Sequence, residues 1–191
     1  MNQSPHGFKP AMASGIGRAK ALACAVALAG LASLGMSPVG AQTPASAAGV
    51  PVTTPAMEGK TFDGKSFKLS SLNGKVVLVM YWSTGCAVCR DKMPELRINY
   101  EGWAGKPFEL VAVSTDTRMQ DVQDYERIIS RTVPVKQRFI QLWMGDSSYR
   151  DNLGKHAQLP AAYLIDKSGK IVERYVGRIP PEAWDRIADL L

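Results

Sequence analysis

Apolar and polar positions follow three different rhythms along this chain, and each predicts a different element. Val76 to Trp82 is an unbroken apolar, β-rich run, the pattern of a strand buried on both faces of a sheet. Phe108 to Ser114 is a second such run, and Phe139 to Met144 predicts a third strand. Between the first two, Cys86 to about Tyr100 has helical spacing, with Cys89, Met93, Leu96 and Tyr100 on one stripe. Pro94 lies inside that helix and should kink it. Met119 to Ile129 predicts an amphipathic helix with Val122, Tyr125, Ile128 and Ile129 facing inward, and Ser147 to Lys155 a short helix.

Towards the ends of the chain the pattern shortens. "KTFDGKSFKLSSLNGK" places an Asp-Gly turn between brief alternating segments, which predicts an N-terminal β-hairpin with its loop closing at Asn73-Gly74. "AAYLID" and "IVERYVGRI" flank a Lys167-Ser168-Gly169-Lys170 turn as a second hairpin. Pro180-Pro181 then opens a final helix, Glu182 to Leu191, since proline is tolerated in a first turn. Strands alternating with helices, then a hairpin and a closing helix, describe an α/β fold with a central mixed β-sheet flanked by helices.

The first 41 residues follow another logic. A polar, basic start leads into Ala21 to Met36, a 16-residue run without charge, and Val39-Gly40-Ala41 supplies small residues after it. Those are the three parts of a secretory signal, so 1–41 is expected to be removed and the protein to be exported, with a periplasmic location. A retained membrane anchor is the competing reading, although a span needs about 20 well-apolar residues. Residues 42–56, rich in Ala, Pro, Thr and Ser, read as a flexible linker, leaving 57–191 as the folded domain.

Composition narrows the picture. At 46% hydrophobic and 21% charged, the 191 residues can build one core, which excludes collagenous and disordered classes. The net charge of +6 suggests nucleic acid until its location is considered: without residues 1–41, 20 basic residues face 17 acidic ones, with no basic run. No nucleic-acid partner is expected.

Removal of the leader also takes Cys24, leaving Cys86 and Cys89 in a compartment where disulfides persist. The candidate chemistry lies in Trp82-Ser83-Thr84-Gly85-Cys86-Ala87-Val88-Cys89. A spacing of three at a helix start brings both sulfurs to one helical end, within bonding reach. There the unpaired N–H groups and the positive end of the dipole stabilise a thiolate on the first cysteine. Cys86 is therefore expected to attack a disulfide and Cys89, one turn in and more buried, to resolve the mixed disulfide. Three bland readings stand beside this one, of which a core cysteine pair with no role sits oddly in a secreted protein. A structural zinc site needs four ligands, and only His156 remains after processing. A purely structural disulfide would close a tiny loop, where the entropic gain is least.

At these residues the chain resembles the thioredoxin superfamily, and within it the exported TlpA/ResA-like thiol-disulfide reductases, from about Gly59 to the C-terminus. "VVLVMYWSTGCAVC" resembles the strand leading to that family's redox centre, with Trp82 at its aromatic position and Pro94 at its helix proline. "QLPAAYLIDKSGKIVERYVG" resembles the strand that begins at the family's cis-proline. The resemblance implies a thioredoxin-like fold, a cis Pro160, and a substrate-binding surface formed by Trp82, Gly85, Leu159 and Pro160. It implies no cofactor beyond the redox-active Cys86–Cys89 disulfide and a monomer acting on secreted proteins with disulfides. Apocytochrome c thiols or copper-site cysteines would be substrates, and a membrane thiol transporter of the CcdA/DsbD type would supply electrons.

The departures are also informative. Gly85 stands where most members have Trp, and Met80 where thioredoxin has a buried carboxylate relay. Ala87-Val88 between the cysteines carries no charge, which implies a reducing-to-intermediate potential. Thr84 lies two residues before Cys86, so the Thr-x-x-Cys signature of a peroxiredoxin is missing. Asp116 either approaches the site or caps the helix at Met119. "RDK" at 90–92 reads as an exposed helix face, with Lys92 near Cys86 only if it folds back. Trp103, Trp143 and Trp184 read as packing residues. The alternative function is a copper-binding or metallochaperone module using Cys86, Cys89 and His156, since thiolate and imidazole suit Cu(I); a redox-silent adaptor is a third reading.

Overall fold

The computed structural model describes residues 54–191. The expected signal segment 1–41 and residues 42–53 of the expected linker lie outside the described residues. Within the described part the elements are β1 (Met57–Lys60), β2 (Ser66–Lys68), β3 (Val76–Trp82), α1 (Ala87–Gly102), β4 (Phe108–Ser114) and α2 (Met119–Thr132). They continue with β5 (Ile140–Trp143), β6 (Arg150–Asp151), β7 (Ala161–Ile165), β8 (Ile171–Val176) and α3 (Glu182–Leu190). No helix among these residues is long and apolar enough to cross a membrane.

The main sheet has the order β5-β4-β3-β7-β8. β3, β4 and β5 are parallel, while β7 runs antiparallel to both β3 and β8, so the sheet is mixed. β3 and β4 are buried at every position, which is why they read as continuous apolar runs rather than alternating ones. The N-terminal hairpin pairs β1 with β2 through a turn closed by Gly64 N–H to Thr61 C=O at 2.8 Å, with Gly64 at φ +81°.

Strand parity sorts the core into two layers. Val76, Leu78, Met80 and Trp82 of β3 face one side, where they meet Cys89, Met93 and Leu96 of α1 and Ala183 and Ile187 of α3. Val77, Val79 and Tyr81 face the other, where Met57, Phe67, Leu69 and Leu72 of the hairpin region and Tyr149 and Leu153 close over them. The thiol pair and the hairpin therefore lie on opposite faces of the sheet.

Three local expectations change. Residues 147–155 form no helix: β6 pairs antiparallel with β1, and Asp146, Asp151 and Asn152 tie the surrounding turns to backbone groups. Ile128 is 61% exposed, because α2 buries the Val122–Ile129 line while Ile128 lies far around the helix from Val122. Lys92 is buried at 3% exposure, its ammonium 2.6 Å from Glu95 and above the Trp184 ring, so α1 is pinned to α3 through a charge that reads as surface. Pro94 lies inside α1.

Leu110, with no exposed surface at the centre of β4, packs in the α1/α3 layer. Leu110→Ala should lower the stability of the domain by about 2–5 kcal/mol in urea unfolding, without displacing the Cys86–Cys89 pair.

Candidate active site

The candidate site is built where β3 ends and α1 begins. Cys86 is the N-cap of α1, with extended backbone angles (φ −82°, ψ 102°), and its sulfur accepts the Cys89 N–H at 3.1 Å. That bond satisfies one of the N–H groups a helix start leaves unpaired, with sulfur in the place an Asp or Ser oxygen ordinarily takes. Cys86 and Cys89 are joined as a disulfide with Cα atoms 5.2 Å apart. The two differ sharply in access: Cys86 is half-buried and Cys89 is fully buried among Trp82, Met93 and Leu96. Cys86 thus keeps part of its surface open at the positive end of the helix, whereas Cys89 is shielded.

The loop ahead of Cys86 is held from the side. The Thr84 N–H lies 3.1 and 3.0 Å from the two carboxylate oxygens of Asp116, and the Thr84 hydroxyl donates to one of them at 2.7 Å. The Ser114 hydroxyl donates to the same carboxylate at 2.7 Å. Asp116 thus does approach the site; the helix-cap reading is excluded, because the N-cap of α2 is Arg118 and makes no side-chain cap bond. Thirty-two positions separate Thr84 from Asp116, a pairing visible only once β3 and β4 align in parallel.

The residues expected to form a substrate surface separate into two groups. Gly85 is exposed, and a Cβ built there meets nothing within 4 Å, so the approach to Cys86 is open on that side. Leu159 is half-buried, and the Leu159–Pro160 peptide is cis. Pro160 is buried, and the Tyr81↔Ala161 register places it beside the end of β3. Trp82 is a correction: it has no exposed surface, packs against Tyr125 with centroids 4.9 Å apart and ring planes tilted by 58°, and lies in the layer of Cys89, so it offers no face to a substrate.

His156 is a second correction. No group of three or more His, Cys, Asp or Glu side chains gathers at a metal-binding distance among the described residues. His156 stacks instead on Tyr81, 3.7 Å between centroids, and lies edge-on to Tyr163, both on the face opposite the Cys89 layer. His156 therefore does not join Cys86 and Cys89 as the third ligand of a copper site. Burial holds the His156 imidazole below its ordinary pKa; Asp151 opposes this and Arg174 reinforces it. Of the tryptophans, Trp103 and Trp184 pack together at 5.6 Å, whereas Trp143 does more than pack: its indole N–H donates to the Asp116 backbone carbonyl at 2.6 Å.

A mixed sheet with these crossovers, a helix N-terminus carrying Cys-x-x-Cys and a cis-proline strand beside it define a protein of thioredoxin-like fold. The chain belongs to the AhpC/TSA family, whose model matches residues 50–176. It is 29% identical over 117 residues to the thiol-disulfide oxidoreductase ResA of Bacillus cereus, a stretch that is 60% of this chain and 62% of that protein. The chain therefore spans less than two thirds of the length of such curated relatives. Among solved structures it is similar to the thioredoxin domain of a thiol-disulfide oxidoreductase from Bacteroides vulgatus, with 27% identity and a TM-score of 0.55, covering 72% of this chain and 94% of that one. A thiol:disulfide interchange protein of the thioredoxin family from Chlorobium tepidum shares the fold at 24% identity and a TM-score of 0.56, over 75% of this chain and 97% of that one.

Two outcomes follow from the geometry. Brief alkylation of the reduced protein, read by mass spectrometry, should label Cys86 and spare Cys89. Because the folded pKa of His156 lies below its unfolded value near 6.5, stability should be full above that value and fall as the pH drops through the folded pKa. Urea unfolding at pH 7.5 and 5.5 should show the loss in the wild type and less of it in His156→Leu.

Proposed function

We propose that this chain is an exported thiol-disulfide oxidoreductase that works in the reducing direction on disulfides of other exported proteins. The observation that carries the reading is the asymmetry of the pair: a half-buried cysteine at the N-cap of α1, its sulfur accepting the Cys89 N–H, and a fully buried partner one turn inward. In the reaction, the Cys86 thiolate attacks one sulfur of a substrate disulfide, forming a mixed disulfide and releasing the other substrate sulfur as a thiolate that takes up a proton. Cys89, losing its own proton, then attacks Cys86. The Cys86–Cys89 disulfide forms, the second substrate sulfur leaves as a thiol, and two electrons have passed to the substrate.

The disulfide itself carries the electrons, so no further cofactor enters the scheme. A membrane dithiol transporter of the CcdA/DsbD type would return the protein to its reduced form. Substrates of the resembling proteins suggest haem-binding thiols of apocytochrome c or cysteines of copper sites. Export rests on the basic, apolar and small-residue order of positions 1–41, and the protein would act as a monomer.

The test combines two variants. Cys86→Ser should lower insulin reduction by at least about 100-fold, the loss expected when the attacking group itself is removed. Cys89→Ala should accumulate covalent partners that dithiothreitol releases. Full insulin reduction by Cys86→Ser would overturn the proposal.

A further inference from the structure

We propose that Asp116 is a positioning residue for Cys86, acting through Thr84, so that the nucleophile stays at the N-cap of α1 after the disulfide opens. The inference rests on the thiol-disulfide reading above. In the oxidised state the bond to Cys89 fixes Cys86 covalently. In the reduced state that constraint is gone, and Cys86 is left with its helix bonds, the Arg90 N–H to its carbonyl at 3.1 Å among them, on one side and the three-residue loop Ser83-Thr84-Gly85 that leads into it on the other. Gly85 provides no anchor, since it has no side chain, is exposed and has open space around it. Ser83 contributes a turn bond, its carbonyl accepting the Cys86 N–H at 3.1 Å. Thr84 is where the loop is fastened to the β4–α2 connection, with both its N–H and its hydroxyl directed at the Asp116 carboxylate.

Asp116 is itself braced from two further directions. The Ser114 hydroxyl holds the carboxylate, and the Trp143 indole N–H holds the main-chain carbonyl. The Trp143 ring is in turn seated over Gly145, where an added Cβ would come within 2.3 Å of it. At the strand end below, the Thr115 N–H bonds to the Trp82 carbonyl at 2.8 Å. A continuous line of hydrogen bonds thus runs from the end of β5, through the β4–α2 loop, to the residue two places before the nucleophile. The job needs a carboxylate or amide oxygen at position 116 rather than a charge as such.

That distinction supplies the test. The pH dependence of Cys86 alkylation is measured on reduced protein for the wild type, Asp116→Ala, Asp116→Asn and Thr84→Val, with insulin reduction in parallel. Asp116→Ala should raise the apparent pKa of the Cys86 thiol and slow its alkylation at pH 7 by about tenfold, as the sulfur leaves the helix N-terminus. Asp116→Asn, whose amide oxygen still accepts the Thr84 N–H, should stay within about threefold of wild type, and Thr84→Val should shift the same way as Asp116→Ala by a smaller factor. If Asp116→Ala folds poorly, Thr84→Val carries the comparison. An unshifted pH profile in Asp116→Ala overturns the proposal, as does an equal shift in Ala and Asn, or a fall in the thiol pKa, either of which would mark Asp116 as a charge rather than an anchor. A wild type that reduces insulin while Asp116→Ala keeps its profile overturns the Asp116 role alone. A wild type that neither reduces insulin nor alkylates preferentially at Cys86 overturns the functional reading and this inference with it.

Discussion

The hydrogen bond from the Cys89 N–H to the Cys86 sulfur is the contact on which the candidate chemistry depends. It makes a side chain serve as helix cap and as nucleophile at once, and it needs nothing beyond a spacing of three residues at a helix start. Everything around it serves to keep that start in one place. β3 reaches the site with every residue buried, which fixes the height at which the chain emerges. Trp82 closes the bottom of the site, and the Thr84–Asp116 contacts close its side. The resulting environment treats two chemically identical groups differently, one wetted and one dry, and disulfide exchange requires that inequality.

The two faces of the sheet share no chemistry, because β3 presents alternate side chains to each. Trp82 points down among the helices with the thiols, while its neighbour Tyr81 points to the hairpin side, where Tyr149, Tyr163 and His156 surround it. Burial raises the pKa of the Tyr81 and Tyr149 hydroxyls, with the Tyr149 hydroxyl 2.6 Å from Asp151. This is a polar lining to an otherwise apolar layer, remote from the sulfur pair by construction. A histidine four residues ahead of the cis-proline is near the site in sequence, yet the loop that carries it packs it against Tyr81 and Tyr163 in the other layer.

Much of this is legible in the sequence. The long apolar runs of β3 and β4, the thiol helix, and the cis-proline strand each carry a signal that burial on two faces or a special residue makes strong. The short segments were harder. Tyr149 and Leu153 lie four apart, as on a helix, but reach the core from an irregular stretch stitched by Asp151 and Asn152 to backbone groups. Lys92 reads as surface because nothing in its own neighbourhood shows that Glu95 and Trp184 will cover it. The support of the site was the least visible part: Asp116 and Thr84 meet only through the parallel pairing of two strands with a helix between them.

The pleat also governs which changes this protein can absorb. Substituting one residue of β3 for another alters a contact, but inserting or deleting one there would exchange the occupants of the two faces from that point to Cys86. The indole floor would turn outward and the phenol would take its place beneath the sulfurs. The length of this strand is therefore as much a part of the site as the cysteines. The stretch from Gly145 to Gln158, mostly turns on the far side, is held to a looser rule: outside the β6 pairing with β1 and the core contacts of Tyr149 and Leu153, an added residue changes a turn and leaves both faces of the sheet as they are.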